Sequence, residues 1–306
     1  MMAAPTPLTL VSINVASVKS DTARFADFDF LTRFEAEILF LQETRLTDMG
    51  AIHKAESKWR CGSSYWSLSA EPCSGVAVLF KTASVEWRII VVEMGRCLVL
   101  DVFMSGQELR LINIYGPQSK WDHKCLFLKI KPYSFTSRQV VFGGDFNTVT
   151  RLRDRGGSID RLAYDSNTLN SIASDARLLD VHIRHTPGHC GFTFHRGSCR
   201  SRIDRFFFKE EAISSAVFVV EVEFSDHCLI SFSLNVAETA RMGKGLWKLN
   251  SSLLEEVEIR QSFEGFLQSQ LPLLDLCSDK SEWWEMFKER VASFFRQLSS
   301  LRSLNR

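Results

Sequence analysis

Two segments of this chain carry acidic and amide side chains in an arrangement that suits the hydrolysis of a phosphodiester. Glu43 ends the apolar run of residues 38–43, and Asp145 and Asn147 stand in the segment GGDFN at residues 143–147. Such hydrolysis builds negative charge, so it needs a cation, an activated water and donors near the phosphoryl oxygens. Carboxylate and amide oxygens are the ligands that Mg²⁺ prefers. Together the segments predict a metal-assisted hydrolytic site, although singly they also fit a solvated loop acid and an Asx turn.

Two further segments add a histidine and more acids. Asp226 and His227 open a later apolar run, and Asp204 stands between two arginines in the segment SRIDR at residues 201–205. An Asp-His pair beside a strand fits acid–base chemistry or the orientation of a phosphate. The same residues also fit a surface histidine and an ion-paired loop acid, so Asp204 either holds His227 or forms an ordinary ion pair.

These side chains need strands that deliver them to one place. Short β-rich runs that end in polar residues predict buried strands whose ends share a sheet edge. Helical spacing at residues 23–35 and 167–176 predicts helices between them. Two sheets packed face to face under helices would bury this material, and a single doubly wound sheet is the alternative. The predicted strands, roughly ten in all, include residues 8–14, 38–43, 75–80, 109–115, 139–145, 191–195, 202–208, 216–222 and 228–235.

The chain changes character after residue 235. Glycines within residues 242–245 predict a flexible break, which places a boundary near residue 240. The remainder carries aromatic and aliphatic residues at helical spacing, which predicts a tail that packs against the domain or a missing neighbour. We therefore assign residues 1–238 to a catalytic domain and residues 239–306 to a flexible connector and an amphipathic helical tail.

The composition is that of a soluble globular protein, with 306 residues, 45% of them hydrophobic and 24% charged. The net charge of +1 means that a nucleic-acid partner would have to bind a local patch. We find no signal-peptide pattern and no apolar run of about eighteen residues, which argues against a membrane partner. Eight cysteines without a C-x-x-C pair favour a reducing intracellular compartment. The histidines and cysteines at residues 182–199 fit no common zinc-finger spacing, which favours loop and core roles.

Arginines cluster near two of the motifs. Arg155 follows the GGDFN segment and Arg202 lies in SRIDR, each within a group of four arginines. Such groups predict a basic rim that contacts DNA phosphates, and a solvated surface loop is the rival interpretation. The two groups are Arg151, Arg153, Arg155 and Arg161, and Arg196, Arg200, Arg202 and Arg205.

The ordered set of motifs resembles the endonuclease/exonuclease/phosphatase superfamily over residues 8–235. Within it, the chain resembles the apurinic-type endonuclease domain of LINE-type (non-LTR) retrotransposons, which has a threonine at the position of Thr193. Residues 247–254 resemble the connector that precedes a reverse transcriptase in those elements. No polymerase follows before Arg306, so we expect a truncated or domesticated piece or an incomplete gene model. The matching positions are Asn14, Glu43, Tyr115 in IYGP, Asp145 with Asn147, Asp204, and Asp226 with His227.

This resemblance implies a fold, a cofactor and site residues. The fold would be a four-layer α/β sandwich, with two mainly antiparallel sheets packed face to face and flanked by helices, and the cofactor would be Mg²⁺ or Mn²⁺. Ser17 departs from the glycine that the superfamily often has there, which puts the DNA contact of the first loop in doubt. The implied catalytic residues are Tyr115, Asp145, Asn147, Asp204 and His227; the metal-site residues are Asn14, Glu43, Asp145, Asn147, Asp226 and His227; the substrate contacts are Thr193, Arg155 and Arg202.

In that pattern, Asp145 would position the attacking water, and Asn147 and His227 would contact the phosphate. Tyr115 would support the phosphate or the leaving group. Asp204 would hold His227, and Asp226 would anchor the last loop. These roles follow from the resemblance alone.

The implied function is a nuclease that nicks DNA, in an intracellular and nuclear setting. An exonuclease III-like or apurinic-site repair enzyme uses the same residues, because the loops rather than the motif decide the substrate. A catalytically idle descendant that binds DNA or a protein is the alternative outside enzymes. A reverse transcriptase module is the expected partner in a longer relative.

Overall fold

The computed structural model divides the chain into two units. One contains residues 1–128 and 138–238, and the other contains residues 129–137 and 239–306. The predicted boundary near residue 240, the break at residues 242–245, and residues 247, 248 and 250 of the connector lie outside the described residues. The structure describes residues 7–68, 71, 73–82, 85–104, 107–157, 161–209, 213–235, 249, 251–277 and 279–304.

Fifteen strands lie within these described ranges. In chain order they are β1 (Leu8–Asn14), β2 (Ile38–Gln42), β3 (Ser64–Ser67), β4 (Val76–Phe80), β5 (Glu86–Glu93), β6 (Cys97–Met104), β7 (Gln107–Tyr115), β8 (Gln139–Asp145), β9 (Leu178–Asp180), β10 (Phe194–Arg196), β11 (Cys199–Ser201), β12 (Asp204–Lys209), β13 (Ile213–Ser214), β14 (Phe218–Val220) and β15 (Leu229–Asn235). β4 is apolar at every position because both of its faces are buried. The structure thus has more strands than the predicted ten or so, and β10 begins later than the predicted run of residues 191–195.

The strands form two large sheets and one hairpin. The first sheet has seven strands in the order β13-β15-β1-β2-β4-β3, with β14 also paired to β15. The second has six strands in the order β5-β6-β7-β8-β12-β9, and β10 and β11 form the hairpin. β1 and β2 are parallel, as are β7 and β8, whereas the other pairs among the described strands are antiparallel. The two-sheet prediction is therefore confirmed against the doubly wound alternative.

The main core lies between the two sheets. Leu10 and Phe40 from the first sheet, and Leu111 and Phe206 from the second, are buried in one apolar cluster. The ring centroids of Phe40 and Phe206 are 5.8 Å apart. Full burial of such a side chain contributes about 1.5–3 kcal/mol, so this layer supplies much of the driving force for packing the sheets face to face.

Helices cover the outer faces of the sheets. Phe28 and Ile52 from the first two helices pack with Leu39 on the first sheet. On the second sheet, the third helix places the ring of Phe127 6.4 Å from that of Phe146. These contacts complete the predicted four layers. The helices are α1 (Asp21–Thr32), α2 (Met49–Lys58), α3 (Lys120–Ile130), α4 (Tyr164–Asp175), α5 (Val181–His185), α6 (Val257–Leu276) and α7 (Lys280–Leu304).

The second unit contains α6, α7 and residues 129–137. The sequence analysis had assigned residues 129–137 to the catalytic domain and the two helices to the tail. Phe263 of α6 contacts Phe295 of α7 at 5.1 Å between ring centroids. Thr136 hydrogen-bonds to Glu282 of α7, which ties the short segment to the helices. None of the described helices is long and apolar enough to cross a membrane.

A buried polar cluster joins the two sheets. The Gln42 side chain of β2 donates to the Asn113 Oδ1 of β7 at 2.7 Å and to the Ser12 hydroxyl of β1 at 3.0 Å. Asn113 Nδ2 donates to the carbonyls of Leu41 and Ala77 at 3.0 and 2.8 Å. Because unsatisfied polar groups are costly in a core, this network fixes the offset of one sheet against the other.

A buried ion network corrects the prediction that Arg202 contacts DNA. Arg202 is only 1% exposed. Its guanidinium bonds to the carboxylates of Asp154 and Asp180, at 3.0 and 2.7 Å. Although burial of Asp154 opposes ionisation, Arg205 and Arg202 lower the pKa of that carboxyl to about 2. Arg205 is 2% exposed, so neither of these arginines belongs to a basic rim.

We expect the Arg202→Met substitution to destabilise the fold by about 3–5 kcal/mol, because the buried Asp180 loses its ion pair with Arg202 and Asp154 keeps only Arg151 and Arg205 of its three arginine partners. Urea unfolding at pH 7 measures this loss. The matched control is Arg200→Met, since Arg200 is exposed and lies in the same segment. Equal stability of the two variants would contradict the structural role of Arg202.

Candidate active site

The predicted site residues meet at one edge of the two sheets. Asn14, Tyr115 and Asp145 are the last residues of β1, β7 and β8, and Glu43 directly follows β2. In the two parallel pairs, Asn14 lies opposite Gln42 and Tyr115 lies opposite Asp145. Parallel pairing therefore brings the carboxyl ends of all four strands to the same edge.

The Asn14 side chain joins the two sheets at this edge. Its Nδ2 donates to Glu43 Oε2 at 3.2 Å and to Asp145 Oδ2 at 3.0 Å. Its Oδ1 accepts a hydrogen bond from the backbone N–H of Ala16 at 3.0 Å. Asn14 thus presents a donor to the two carboxylates, whereas the sequence analysis predicted it as an oxygen ligand of a metal ion.

Glu43 is held by partners on both carboxylate oxygens. The Tyr115 hydroxyl donates to Glu43 Oε2 at 2.9 Å, and Arg45 Nε donates to Glu43 Oε1 at 3.0 Å. Glu43 has a φ of 56°, a left-handed backbone conformation that is uncommon outside glycine. The backbone directly after β2 is therefore held in a conformation that few other residues adopt. Burial, together with the charges of Asp145 and Glu43, raises the pKa of Tyr115, which keeps its hydroxyl protonated as a donor.

Asp145 is fully buried at the centre of the site. Burial, with the nearby Asp204 carboxylate, raises its pKa, while His227 and the donors Asn14 and Asn147 oppose that rise. The backbone N–H of Asn147 donates to Asp145 Oδ1 at 2.9 Å. A carboxylate with a raised pKa accepts a proton more readily at neutral pH, which suits a general base.

The GGDFN turn aims Asn147 into the same cavity. Asn147 has a φ of 51°, and its Nδ2 donates to the carbonyl of Gly116 at 2.8 Å. Gly144 has a φ of 129°, and a Cβ there would lie 2.1 Å from the carbonyl oxygen of Ile114. Glycine at 144 is thus required by both the conformation and the close approach of β7.

His227 lies between two carboxylates. Its Nδ1 is 2.9 Å from Asp204 Oδ2, and its Nε2 is 3.7 Å from Asp145 Oδ2. Burial disfavours the charged imidazolium, but Asp204 and Asp145 outweigh this effect and raise the pKa of His227. The raised pKa favours the charged imidazolium, which suits a hydrogen-bond donor to a phosphate oxygen.

Thr193 supports this pair instead of facing the substrate. It is 1% exposed, and its hydroxyl donates to Asp204 Oδ2 at 2.7 Å. The same hydroxyl accepts from the backbone N–H of Asp204 at 3.1 Å. The prediction that Thr193 contacts substrate is therefore wrong, because its only polar atom is committed to holding the carboxylate that orients His227.

The loop before β15 is anchored through Ser225. Its hydroxyl donates to the carbonyl of Asn14 at 2.7 Å and accepts from the backbone N–H of His227 at 3.1 Å. Asp226 is exposed, lines the cavity and adds to the electrostatic field that favours a charged His227.

A cavity of about 1120 Å³ is lined by the site residues Asn14, Glu43, Tyr115, Asp145, Asn147, Asp226 and His227. Arg155, predicted to contact the substrate, lines it as well. The predicted basic rim is thus present in reduced form: Arg155, Arg161, Arg196 and Arg200 line the cavity, with Arg45 and Lys120 as additional cations.

Residues 11–227 match the Endonuclease/Exonuclease/phosphatase family, and this match covers most of the first unit, residues 1–128 and 138–238. The chain belongs to the endonuclease/exonuclease/phosphatase family. The family assignment confirms the resemblance inferred from the motifs, and it applies to the part of the chain that carries the cavity.

Solved structures with the same fold come from several members with different roles. The catalytic domain of Xenopus laevis APE2 is 18% identical, with a TM-score of 0.62, and the match covers 74% of this chain and 92% of that one. The endonuclease domain of TRAS1, a telomere-specific non-LTR retrotransposon, is 16% identical, with a TM-score of 0.57 and coverages of 75% and 99%. The 3′–5′ exonuclease NExo of Neisseria meningitidis is 17% identical, with a TM-score of 0.60 and coverages of 74% and 100%. At these identities the likeness shows the fold.

Sequence reasoning missed several residues of this family member's site. Arg45 forms an ion pair with Glu43, and a pair of buried side chains, His123 and Asp165, also lines the cavity. Arg45 stands two residues beyond Glu43, which is a readable signal for a local ion pair. His123 and Asp165 lie 42 residues apart, so no sequence spacing reveals their contact.

We expect the Asp204→Asn substitution to lower the pKa of His227, because it removes the carboxylate that most favours the imidazolium. Long-range ¹H–¹⁵N NMR of the histidine ring, followed as a function of pH, measures this change. Asp226→Asn serves as the control, since Asp226 is exposed and should change the pKa far less. An unchanged titration of His227 in the Asp204 variant would show that the pair does not set its charge.

Proposed function

We propose that this protein is a divalent-metal-dependent nuclease that hydrolyses phosphodiester bonds in DNA and nicks the duplex internally, as a retrotransposon-type endonuclease does. The proposal rests on one observation: Glu43 and Asp145, which come from different sheets, both accept hydrogen bonds from the amide group of Asn14. Two carboxylates held this close repel each other unless a cation offsets their charge. Such a pair is the kind of site in which a hard metal ion binds.

The residues present fit Mg²⁺ or Mn²⁺. Glu43 and Asp145 offer carboxylate oxygens, and Asn147 adds an amide, all lining one cavity. Asp145, Asp204 and His227 also cluster closely enough to hold an ion. We favour the first set, because Glu43, Asp145 and Asn147 all line the cavity, whereas Asp204 does not. When bound, the ion would polarise a phosphoryl oxygen and offset its developing charge.

The chain's own groups supply the proton transfers. Asp145, buried and with a raised pKa, accepts a proton from the attacking water. His227, held as an imidazolium by Asp204, donates a hydrogen bond through Nε2 to a phosphoryl oxygen. As the water attacks phosphorus, the P–O bond to the leaving sugar oxygen breaks, and that oxygen takes a proton from solvent water. The Tyr115 hydroxyl remains protonated and supports Glu43, with which it forms a hydrogen bond of 2.9 Å.

DNA is the substrate that the cavity walls favour. Arg155, Arg161 and Arg200 provide positive charge beside an acidic centre, which suits a polymer with a phosphate at each step. Members of the same fold include an AP endonuclease and a retrotransposon endonuclease domain. We accordingly propose action on nuclear DNA, with a reverse transcriptase module as partner in longer relatives.

Cleavage of supercoiled plasmid, linear duplex and abasic-site duplex, each with Mg²⁺ or EDTA, tests this function. We expect metal-dependent nicking of plain supercoiled DNA that falls by at least about 10³-fold in Asp145→Ala, since the general base and a metal ligand are both removed. Asp29→Ala, on the exposed face of α1, is the matched control and should cleave normally.

Other outcomes of the same assay separate the alternatives. Activity confined to abasic sites or to 3′ ends would replace the proposal with a repair-type nuclease. Absence of metal-dependent cleavage on every substrate would overturn the nuclease assignment and leave an idle DNA- or protein-binding descendant.

We expect Arg155→Ala to weaken binding to duplex DNA uniformly across sequences and to reduce the slope of log K against log salt by about 1, because one phosphate contact is lost. Titrations by fluorescence anisotropy at several salt concentrations measure the slope. Arg33→Ala, at an exposed residue directly after α1 and outside the cavity lining, should leave it unchanged. A wild-type slope in the Arg155 variant would exclude Arg155 from the phosphate contacts.

A further inference from the structure

The first turns of α3 and α4 meet at the rim of the cavity. Lys120 and His123 of α3 line the cavity, and so do Arg161 just before α4 and Asp165 within its first turn. None of these four residues takes part in the proposed proton transfers or metal site, and Lys120 and Arg161 add to the positive charge of the cavity rim. This part of the rim is therefore available for another task.

A buried polar pair joins the two helices. His123 Nδ1 lies 3.0 Å from Asp165 Oδ2, and each side chain is only 2% exposed. Within the part of the chain that the structure describes, His123 Nε2 and Asp165 Oδ1 have no hydrogen-bond partner. Ser166 further bonds to Thr148, at 3.1 Å, beside the GGDFN turn. The rim is thus rigidly tied to the catalytic loop.

Two aromatic side chains are exposed at the starts of the same two helices. Trp121 is 62% exposed and Tyr164 is 48% exposed. Tryptophan is highly buried on average, so an exposed one next to a functional cavity is informative. Lys124 Nζ lies 5.7 Å from the Trp121 ring centroid, which adds positive charge at the same place.

We infer that Trp121 and Tyr164 form a stacking platform for unpaired bases of a DNA strand that leaves the cavity, while Lys120 and Arg161 contact its phosphates. Aromatic faces combined with a cationic track are what single-stranded nucleic acid requires, because every base can stack and every linkage is charged. The inference rests on the proposed function and deepens it. It names the form of DNA that this side of the rim binds.

The buried pair acts as a positioning device for the platform. His123 lies two residues beyond Trp121, and Asp165 directly follows Tyr164. The bond between them holds both helix starts together before any DNA binds. A preorganised platform loses less conformational freedom on binding.

The test compares a blunt duplex with the same duplex carrying a single-stranded extension of about six nucleotides at either end. Dissociation constants are measured by fluorescence anisotropy in EDTA, and kcat and KM are measured separately with Mg²⁺. For the wild type we expect tighter binding of one extended duplex. Trp121→Ala and Tyr164→Ala should each reduce that preference, the ratio of the two dissociation constants, roughly tenfold. The dissociation constant for the blunt duplex should change little, and kcat should be unchanged.

Two further variants sharpen the result. Trp121→Phe keeps an aromatic face and should retain most of the preference. Trp284→Ala, at a tryptophan of the second unit that is 52% exposed, should retain all of it.

Several results would overturn the inference. These are a wild type without preference for either extension, a Trp121 variant with the full preference, or equal losses on blunt and extended duplexes. Failure of the proposed function would look different, because the wild type would then cut none of the substrates whatever its binding preference.

Discussion

The mutual repulsion of two carboxylates at a sheet junction is the constraint on which the rest of the site depends. Glu43 comes from the first sheet and Asp145 from the second, and both accept hydrogen bonds from the one amide group of Asn14. One neutral amide does not cancel two negative charges, so the arrangement is poised for a cation. Arg45 forms an ion pair with Glu43, His227 lies near Asp145, and arginines line the same cavity, so positive charge flanks the two carboxylates.

Buried polar networks hold these charges in place. The bonds between Gln42 and Asn113 fix the offset of the two sheets near the ends of their strands. On the other side of the site, Thr193 holds Asp204, and Asp204 in turn holds His227. Among the described strands, the parallel pairs are β1 with β2 and β7 with β8, which are the strands whose carboxyl ends carry or adjoin site residues. Stability and chemistry therefore share the same few contacts.

Much of the fold could be predicted because buried strands can be recognised in the sequence as apolar runs with polar ends. β1 and β8 match their predicted bounds for this reason. β5 was missed, and its three successive residues Trp87, Arg88 and Ile89 are all exposed, so this part of the strand lacks the alternation of buried and exposed side chains by which strands are recognised. The motifs likewise located the site. Arg202 was wrongly predicted to contact DNA because its partners, Asp154 and Asp180, are distant in sequence. The sequence of a motif does not show whether its arginine is buried or exposed.

The measurement that tests the account most directly is an anomalous difference map from crystals soaked in Mn²⁺. The account predicts one strong peak in the cavity in contact with Glu43 and Asp145, reduced or lost in crystals of the Glu43→Gln variant. A cavity without a peak at saturating Mn²⁺, or a peak that is independent of Glu43, would contradict the claim that these two carboxylates form a metal site.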